Sequence, residues 1–239
     1  MFLSRVELGP RAAEHEVFWR QIAQPYGAHQ ALWKLLSRSP EQKRDFLFRT
    51  EEGRARRSFL VLSADAPASD PDGLWTVDSK TFAPALRPGQ RLGFRLRASP
   101  VVRRKGARHD VVMDRKAALK KEPGALPGEA MLIREAGLAW LERQAARAGF
   151  RLAQAQLDTI DDDGLLDADS EVQAAVRIDG YQQHRLRPGP RRTEPIRFST
   201  LDFEGQLEVT DPVVFLEKVK AGFGPQKAFG CGLMLLRRA

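Results

Sequence analysis

The sequence predicts an α+β fold in which helices pack on antiparallel sheets. Three observations point that way. Arg91 to Ala98 alternates strictly, with Leu92, Phe94 and Leu96 on one side and Arg91, Arg95 and Arg97 on the other, the period of a half-buried strand. Gly128 to Ala148 repeats Leu132, Leu138, Leu141 and Ala145 at helical spacing before Gly149 stops it. Breaker-rich stretches such as Ala66 to Gly73 separate short apolar runs that suit strands.

Taken in order, Phe2 to Leu8 alternates as a first strand, and a helix is expected over Glu14 to Ala23. Pro25 suits a first helical position, so a second helix runs from Pro25 to about Ser37. Phe46 to Glu51 and Ser58 to Ser63 form a hairpin across Gly53-Arg54-Ala55, and Leu74 to Thr81 is a further strand. A domain boundary is placed between Pro84 and Gly89, giving units of residues 1–86 and 87–239. Beyond the strand at Arg91 and the long helix, strands are expected at Phe150 to Leu157, Glu171 to Ile178, Ile196 to Phe203 and Gln206 to Val209. Asp211-Pro212 then caps and opens a last helix, and Leu233 to Leu236 is the final strand. Both halves approximate the order β-α-β-β-α-β, with the second helix of the first half short or missing. That is the ferredoxin-like (RRM-like) order, so the expectation is two tandem ferredoxin-like domains with antiparallel sheets.

The chain of 239 residues carries 39 Lys+Arg against 31 Asp+Glu, a formal net charge of +8, and 42% of its residues are hydrophobic. It has enough apolar side chain to fold and enough positive charge to attract polyanions. No window approaches 18 consecutive apolar residues, and Met1 to Leu8 lacks a basic region followed by a long apolar run. The expectation is a cytoplasmic protein with no membrane partner. Cys231 is the only cysteine, and four histidines form no set at zinc spacing, so neither a disulfide nor a metal site is expected, and no cofactor. The acidic run Asp161-Asp162-Asp163-Gly164 lacks the twelve-residue calcium pattern and reads as a solvated loop. The positive excess lies in two clusters. Residues 99–121 hold 8 basic and 2 acidic side chains, and residues 177–200 hold 6 and 2. Both clusters read as exposed loops or hairpin tips, either solvated faces or nucleic-acid contacts.

Gly222-Phe223-Gly224-Pro225-Gln226-Lys227-Ala228-Phe229-Gly230-Cys231-Gly232-Leu233 lies between a helix and a strand. It is neither a phosphate-binding GxxxxGK[ST] loop nor a dinucleotide GxGxxG after a strand. It serves either as an anion-binding nest with Lys227 as point charge or as a tight turn that needs left-handed backbone. This loop resembles the glycine-rich signature of the repeat-associated RNA-binding proteins of CRISPR systems. Further blocks narrow the resemblance. Pro25-Tyr26-Gly27-Ala28-His29-Gln30-Ala31-Leu32-Trp33, Phe46-Leu47-Phe48-Arg49, Phe94-Arg95-Leu96-Arg97-Ala98, Trp140-Leu141-Glu142-Arg143 and Phe203-Glu204-Gly205-Gln206-Leu207 are similar, in order, to the CasE family of type I-E CRISPR endoribonucleases. Ser99 stands where that family usually has Asn.

The resemblance implies a protein that binds the CRISPR repeat hairpin and cuts precursor CRISPR RNA at the base of the stem without metal. It implies product retention within the Cascade complex beside other subunits, and a monomer outside it. The alternative is a non-catalytic RNA-binding subunit of the same fold. Helical spacing from Pro25 puts Ala28, Ala31, Leu32, Leu35 and Leu36 on a buried face, with His29 at its edge and Tyr26 and Trp33 on the same side. A histidine at such an edge is by itself more often a packing residue. The match of Tyr26 and His29 to the family's catalytic block implies instead that His29 is a general acid or base and that Tyr26 orients or deprotonates the 2′-OH. Lys34, on the polar face, either stabilises phosphate charge or is a surface lysine. RNA contacts are expected from Arg103, Arg104, Lys105 and Arg108, from Arg185, Arg187, Arg191 and Arg192, from Arg143 and Arg147 on the long helix, and from Gly222, Gly224 and Lys227. His184 lies in an Arg-rich loop suited to phosphate contact.

Overall fold

A computed structural model describes residues 1–24, 26–36, 45–52, 57–68, 70, 72–157, 171–186 and 194–239. Pro25, the hairpin tip at Gly53-Arg54-Ala55, the acidic run, Arg187, Arg191 and Arg192 lie outside the described residues.

The first sheet contains β1 (Phe2–Leu8), β2 (Phe46–Glu52), β3 (Arg57–Ser63) and β4 (Trp75–Thr81), in the antiparallel order β2-β3-β1-β4. Two helices, α1 (Glu16–Ala23) and α2 (Gly27–Leu36), form between β1 and β2. Alternation explains the packing. Val6, Phe48, Phe59 and Val61 face Ala28, Leu32, Leu35 and Leu36 of α2. Leu47 and Leu62 pack with Leu233 from the end of the chain, so β3 is apolar on both faces.

The second sheet has the order β11-β12-β5-β13, where β5 is Arg91–Ala98, β11 is Val176–Leu186, β12 is Ile196–Val209 and β13 is Met234–Arg238. Its neighbours follow the same antiparallel order as the first sheet, the arrangement of the ferredoxin-like fold. Helices α4 (Glu129–Ala145) and α5 (Pro212–Ala221) cover it. Trp140 of α4 stacks on Phe203 at 5.5 Å, and Phe215 of α5 meets Phe150 at 5.3 Å. Asp211 caps α5, its Oδ1 accepting from the Val213 and Val214 N–H groups at 3.0 Å each.

Three differences from the sequence reading have physical reasons. The expected strand at Phe150 to Leu157 is two, β8 (Phe150–Leu152) on the edge of β12 and β9 (Gln154–Leu157) in a separate ribbon with β10 (Glu171–Ala174). The ribbon leaves the sheet at a junction where Ala175 N donates to Ala153 O, Ala153 N to Gln206 O and Gln206 N to Ala175 O. The two strands expected across Glu204-Gly205 are therefore one, β12, held through Gly205 by partners on both sides. The first basic cluster contains a hairpin, β6 (Val101–Arg104) and β7 (Ala107–Asp110), and an unexpected helix, α3 (Val111–Leu119). The helix carries only Val111 and Val112 as buried residues, so it has no apolar stripe to read. Asp110 starts it by accepting from Val112 N at 2.7 Å and Met113 N at 3.0 Å.

The polar side of β5 reaches the first sheet while staying partly open to water. Asp202 of β12 accepts from Arg97 at 2.6–3.2 Å and lies 3.6 Å from Arg49 of β2, while Arg95 pairs with Glu51 and Glu204 at 3.8 Å. Cys231 is buried beside this junction, and desolvation pushes its thiol up to about 12. Among the described residues, no helix is long and apolar enough to cross a membrane.

Candidate active site

Helix α2 starts against the end of α1. A Cβ on Gly27 would lie 1.6 Å from the Gln21 carbonyl oxygen, so only glycine lets the helix begin there. Gln30 N donates to Tyr26 O at 3.2 Å, which places Tyr26 at the helix entrance, half-buried. His29 follows one turn later and is 5% exposed. Its ring stacks on Phe46 at 5.1 Å and Phe48 at 6.1 Å, and Tyr26 stands 5.4 Å away. The structure therefore brings His29 and Tyr26 together, as expected from their spacing. Lys34 is exposed and lines a different cleft with His15, Gln21, Asp70 and Asp72.

The glycine-rich loop meets this pair from the other end of the chain. Gly222, Gly224, Gly230 and Gly232 have φ of 80°, 72°, 79° and 96°, positive values that favour glycine and that a tight turn and an anion-binding nest both use. The loop is clipped by Phe223 N to Gly232 O at 3.0 Å and by Gly232 N to Arg97 O at 2.8 Å. Lys227 Nζ donates to the Ala221 carbonyl at the end of α5. The loop's short 3-10 turn, Lys227–Phe229, sets the Phe229 ring 5.9 Å from Tyr26.

Two adjoining grooves share Val101, Arg108 and Gln226. One collects Arg103, Arg108, Gly224 and Lys227; the other collects Arg108, Arg185, Arg197 and His184. The basic hairpin, the glycine loop and β11 thus converge on one cationic surface. Lys105 and Gly106 make the hairpin's two-residue turn with φ of 49° and 82°, which leaves Lys105 exposed at the tip. Arg104 is turned away: its Nε and Nη2 donate to Asp114 at 2.5 and 2.7 Å, and those bonds hold the Asp114 carboxyl below the usual carboxylate range. Arg143 is exposed on the last turn of α4 near Asp114, and Arg147 is exposed just past the helix, so neither lines the two grooves. Gly222 packs over Leu47, beneath the surface.

Sequence reasoning missed Phe198, Phe229, Arg197 and Gln226. Phe229 carried a signal, an aromatic ring set between glycines, and Arg197 lay within the basic cluster of residues 177–200 without being singled out. Among the described residues no three His, Cys, Asp or Glu side chains group to hold a metal ion.

Two ferredoxin-like sheets, a buried histidine beside a tyrosine and a shared cationic surface suit a protein that binds a polyanion. The chain belongs to the CRISPR associated protein family, whose sequence model matches residues 1–238. It is 32% identical over 247 residues to the CRISPR-associated endoribonuclease Cse3 of Thermus thermophilus, with 98% of each chain covered. It is 28% identical over 214 residues to the CRISPR system Cascade subunit CasE of Escherichia coli, covering 88% of this chain and 90% of that one. The structure of Thermus thermophilus Cse3 bound to an RNA representing a pre-cleavage complex matches with a TM-score of 0.67 at 30% identity, covering 99% of this chain and 98% of that one.

Proposed function

We propose that the protein is a metal-independent endoribonuclease that binds the repeat hairpin of precursor CRISPR RNA and cuts at the base of its stem. It stays with the product as a Cascade subunit, is monomeric outside that complex and works in the cytoplasm. Residues 1–86 form the unit that carries the catalytic helix, and residues 87–239 form the unit that carries the basic surface. The carrying observation is the pairing of His29 and Tyr26 at the start of α2, joined through Phe229 and Phe198 to the groove that holds Arg108, Arg185 and Arg197. The family membership and the named activity of the Thermus relative support the same reading.

The ribose 2′-OH upstream of the cut attacks the phosphorus, giving its proton to a base as the new P–O bond forms, and the bond to the 5′-oxygen breaks as that oxygen takes a proton from an acid. The products are a 2′,3′-cyclic phosphate and a 5′-OH. Tyr26 orients the 2′-OH or takes its proton, and His29 serves as the general acid or base. Lys34 lines a separate cleft with Asp70 and Asp72, which supports the reading of it as a surface lysine. The A-form major groove is too deep and narrow for ordinary side-chain readout, so the hairpin is held by shape and phosphate contacts. One observation favours the non-catalytic reading, namely that His29 is 5% exposed and stacked among phenylalanines. A labelled repeat hairpin incubated with the protein in EDTA decides between them. A single cut with a 2′,3′-cyclic end is expected, and persistent full-length RNA would remove the nuclease reading.

The basic hairpin β6–β7 is tested through salt dependence. Each phosphate that a cation no longer neutralises lowers the slope of log affinity against log salt by about 0.7–0.9. Replacing Arg103 and Arg108 together by Gln is expected to flatten the slope by roughly two such steps. Arg104→Gln leaves the slope unchanged, because Asp114 already occupies its guanidinium. An unchanged slope in the double variant counts against the hairpin as an RNA-binding element.

A further inference from the structure

A second site lies on the far side of Phe229 from His29. The four rings beyond His29 form a ladder: Tyr26 to Phe229 at 5.9 Å, Phe229 to Phe198 at 5.0 Å, and Phe198 to His184 at 4.6 Å with 21° between planes. His184 ends the ladder and lines the groove together with Ser99, Gln183, Arg197 and Gln226. Its imidazole is pinned by Nε2 to Thr200 Oγ1 at 3.0 Å. Burial, then the neighbouring Arg97, holds its pKa below the usual histidine value, which favours the uncharged ring. Gln183 is also fixed, because its Nε2 donates to the Tyr181 hydroxyl at 3.0 Å, which in turn donates to Asp110 at 2.9 Å. Ser99 supplies an independent observation. It is 0% exposed, and its hydroxyl has no hydrogen-bond partner among the described residues. Buried hydroxyls are normally paired, so an unpaired one in a groove wall marks a place for a ligand group.

We propose that this groove is a nucleotide subsite that holds one unpaired RNA base flanking the hairpin stem, stacked against His184. The inference rests on the RNA-cleaving reading above and adds to it where the flank goes. A flat ring at the end of an aromatic ladder is a platform for a base of any identity. Gln183, Gln226 and Ser99 offer both donors and acceptors to its edge. Arg108, Arg185 and Arg197 stand around the groove for the phosphates on either side. Paired bases stack inside the duplex, so the occupant is a single-stranded nucleotide. Because the ladder leads directly to Tyr26 and His29, a base seated here fixes the flank beside the bond to be cut.

The test uses a repeat hairpin with a 2′-deoxy sugar at the cut, so that it binds without being cleaved. 2-Aminopurine is placed in turn at each flanking position. One position is expected to lose its fluorescence on binding the wild type. His184→Ala and His184→Gln restore that fluorescence and lower affinity about 10-fold, whereas His184→Phe keeps the quenching. An abasic nucleotide at that position weakens wild-type binding by the same factor, and combining it with His184→Ala adds nothing further. A stem-only hairpin binds the wild type and His184→Ala equally. Quenching that survives in His184→Ala and His184→Gln, effects that add, or weakened stem-only binding would each overturn the subsite. If the wild type cleaves yet no flanking position is quenched, the subsite falls while the nuclease reading stands. If the wild type binds no hairpin at all, both fall.

Discussion

His29→Ala is expected to lower hairpin cleavage by about 10²–10⁴-fold while leaving RNA binding in place, since that is the range a positioned acid or base contributes. On the proposed reading, binding falls to the cations that line the two grooves, and His29 is not among them. The ring is also part of an aromatic stack with Phe46 and Phe48, so alanine leaves a hole in the packing. His29→Phe controls for this, because it keeps a stacked ring and removes the ionisable nitrogens. Both variants are expected to bind the labelled hairpin and fail to cut it. Single-turnover rates measured at saturating protein separate the chemical step from affinity. Cleavage by His29→Phe at the wild-type rate would remove His29 from the mechanism and leave it a packing residue. In the same assay Tyr26→Phe, which preserves the ladder to Phe229, and Lys34→Ala are each expected to slow cleavage less than the histidine variants.

These residues differ in how far the sequence could reveal them. Tyr26 and His29 sit one turn apart on a helix, so a 3.6-residue period together with one family block was enough to pair them. Strands with one apolar and one polar face, such as β1 and β5, were equally readable. Two kinds of feature were not. Helix α3 forms on the strength of the Asp110 cap and its packing against α4, and it has no stripe that a periodicity search could find. The ladder from Tyr26 through Phe229 and Phe198 to His184 draws one ring from each of the α2 entrance, the glycine loop, β12 and β11. No local pattern joins residues so distant in the chain. The polar face of β5 misled in the opposite way. Alternation correctly put Arg95 and Arg97 away from the second sheet's core, but it could not show that carboxylates of β2 and β12 wait there.

That polar junction carries the second large effect. Asp202→Ala is expected to destabilise the protein by about 2–4 kcal/mol, near the lower end of the cost of removing one partner from a buried pair because Arg97 still reaches solvent. Arg49 is the reason the cost is not smaller. Its side chain is 8% exposed, it lies 3.6 Å from Asp202, and its Nη1 already has no hydrogen-bond partner among the described residues. Without the carboxylate, Arg49 keeps Glu51 at 2.8 Å but is left without the charge that faces it from the second sheet. At this chain length such a destabilisation lowers the melting temperature by roughly 4–16 °C, which thermal unfolding followed by circular dichroism resolves. Arg49→Met is the informative contrast. It removes the buried cation, leaves Asp202 with its bonds from Arg97, and fills much of the same volume with apolar side chain. It should therefore cost less than Asp202→Ala. Glu204→Ala should shift the melting temperature least, because its partners Arg95 and Arg177 are well exposed. If Asp202→Ala melts within about 1 °C of the wild type, the apolar packing of Leu47 and Leu62 with Leu233 holds the two sheets together on its own, and the ion pairs only decorate the joint.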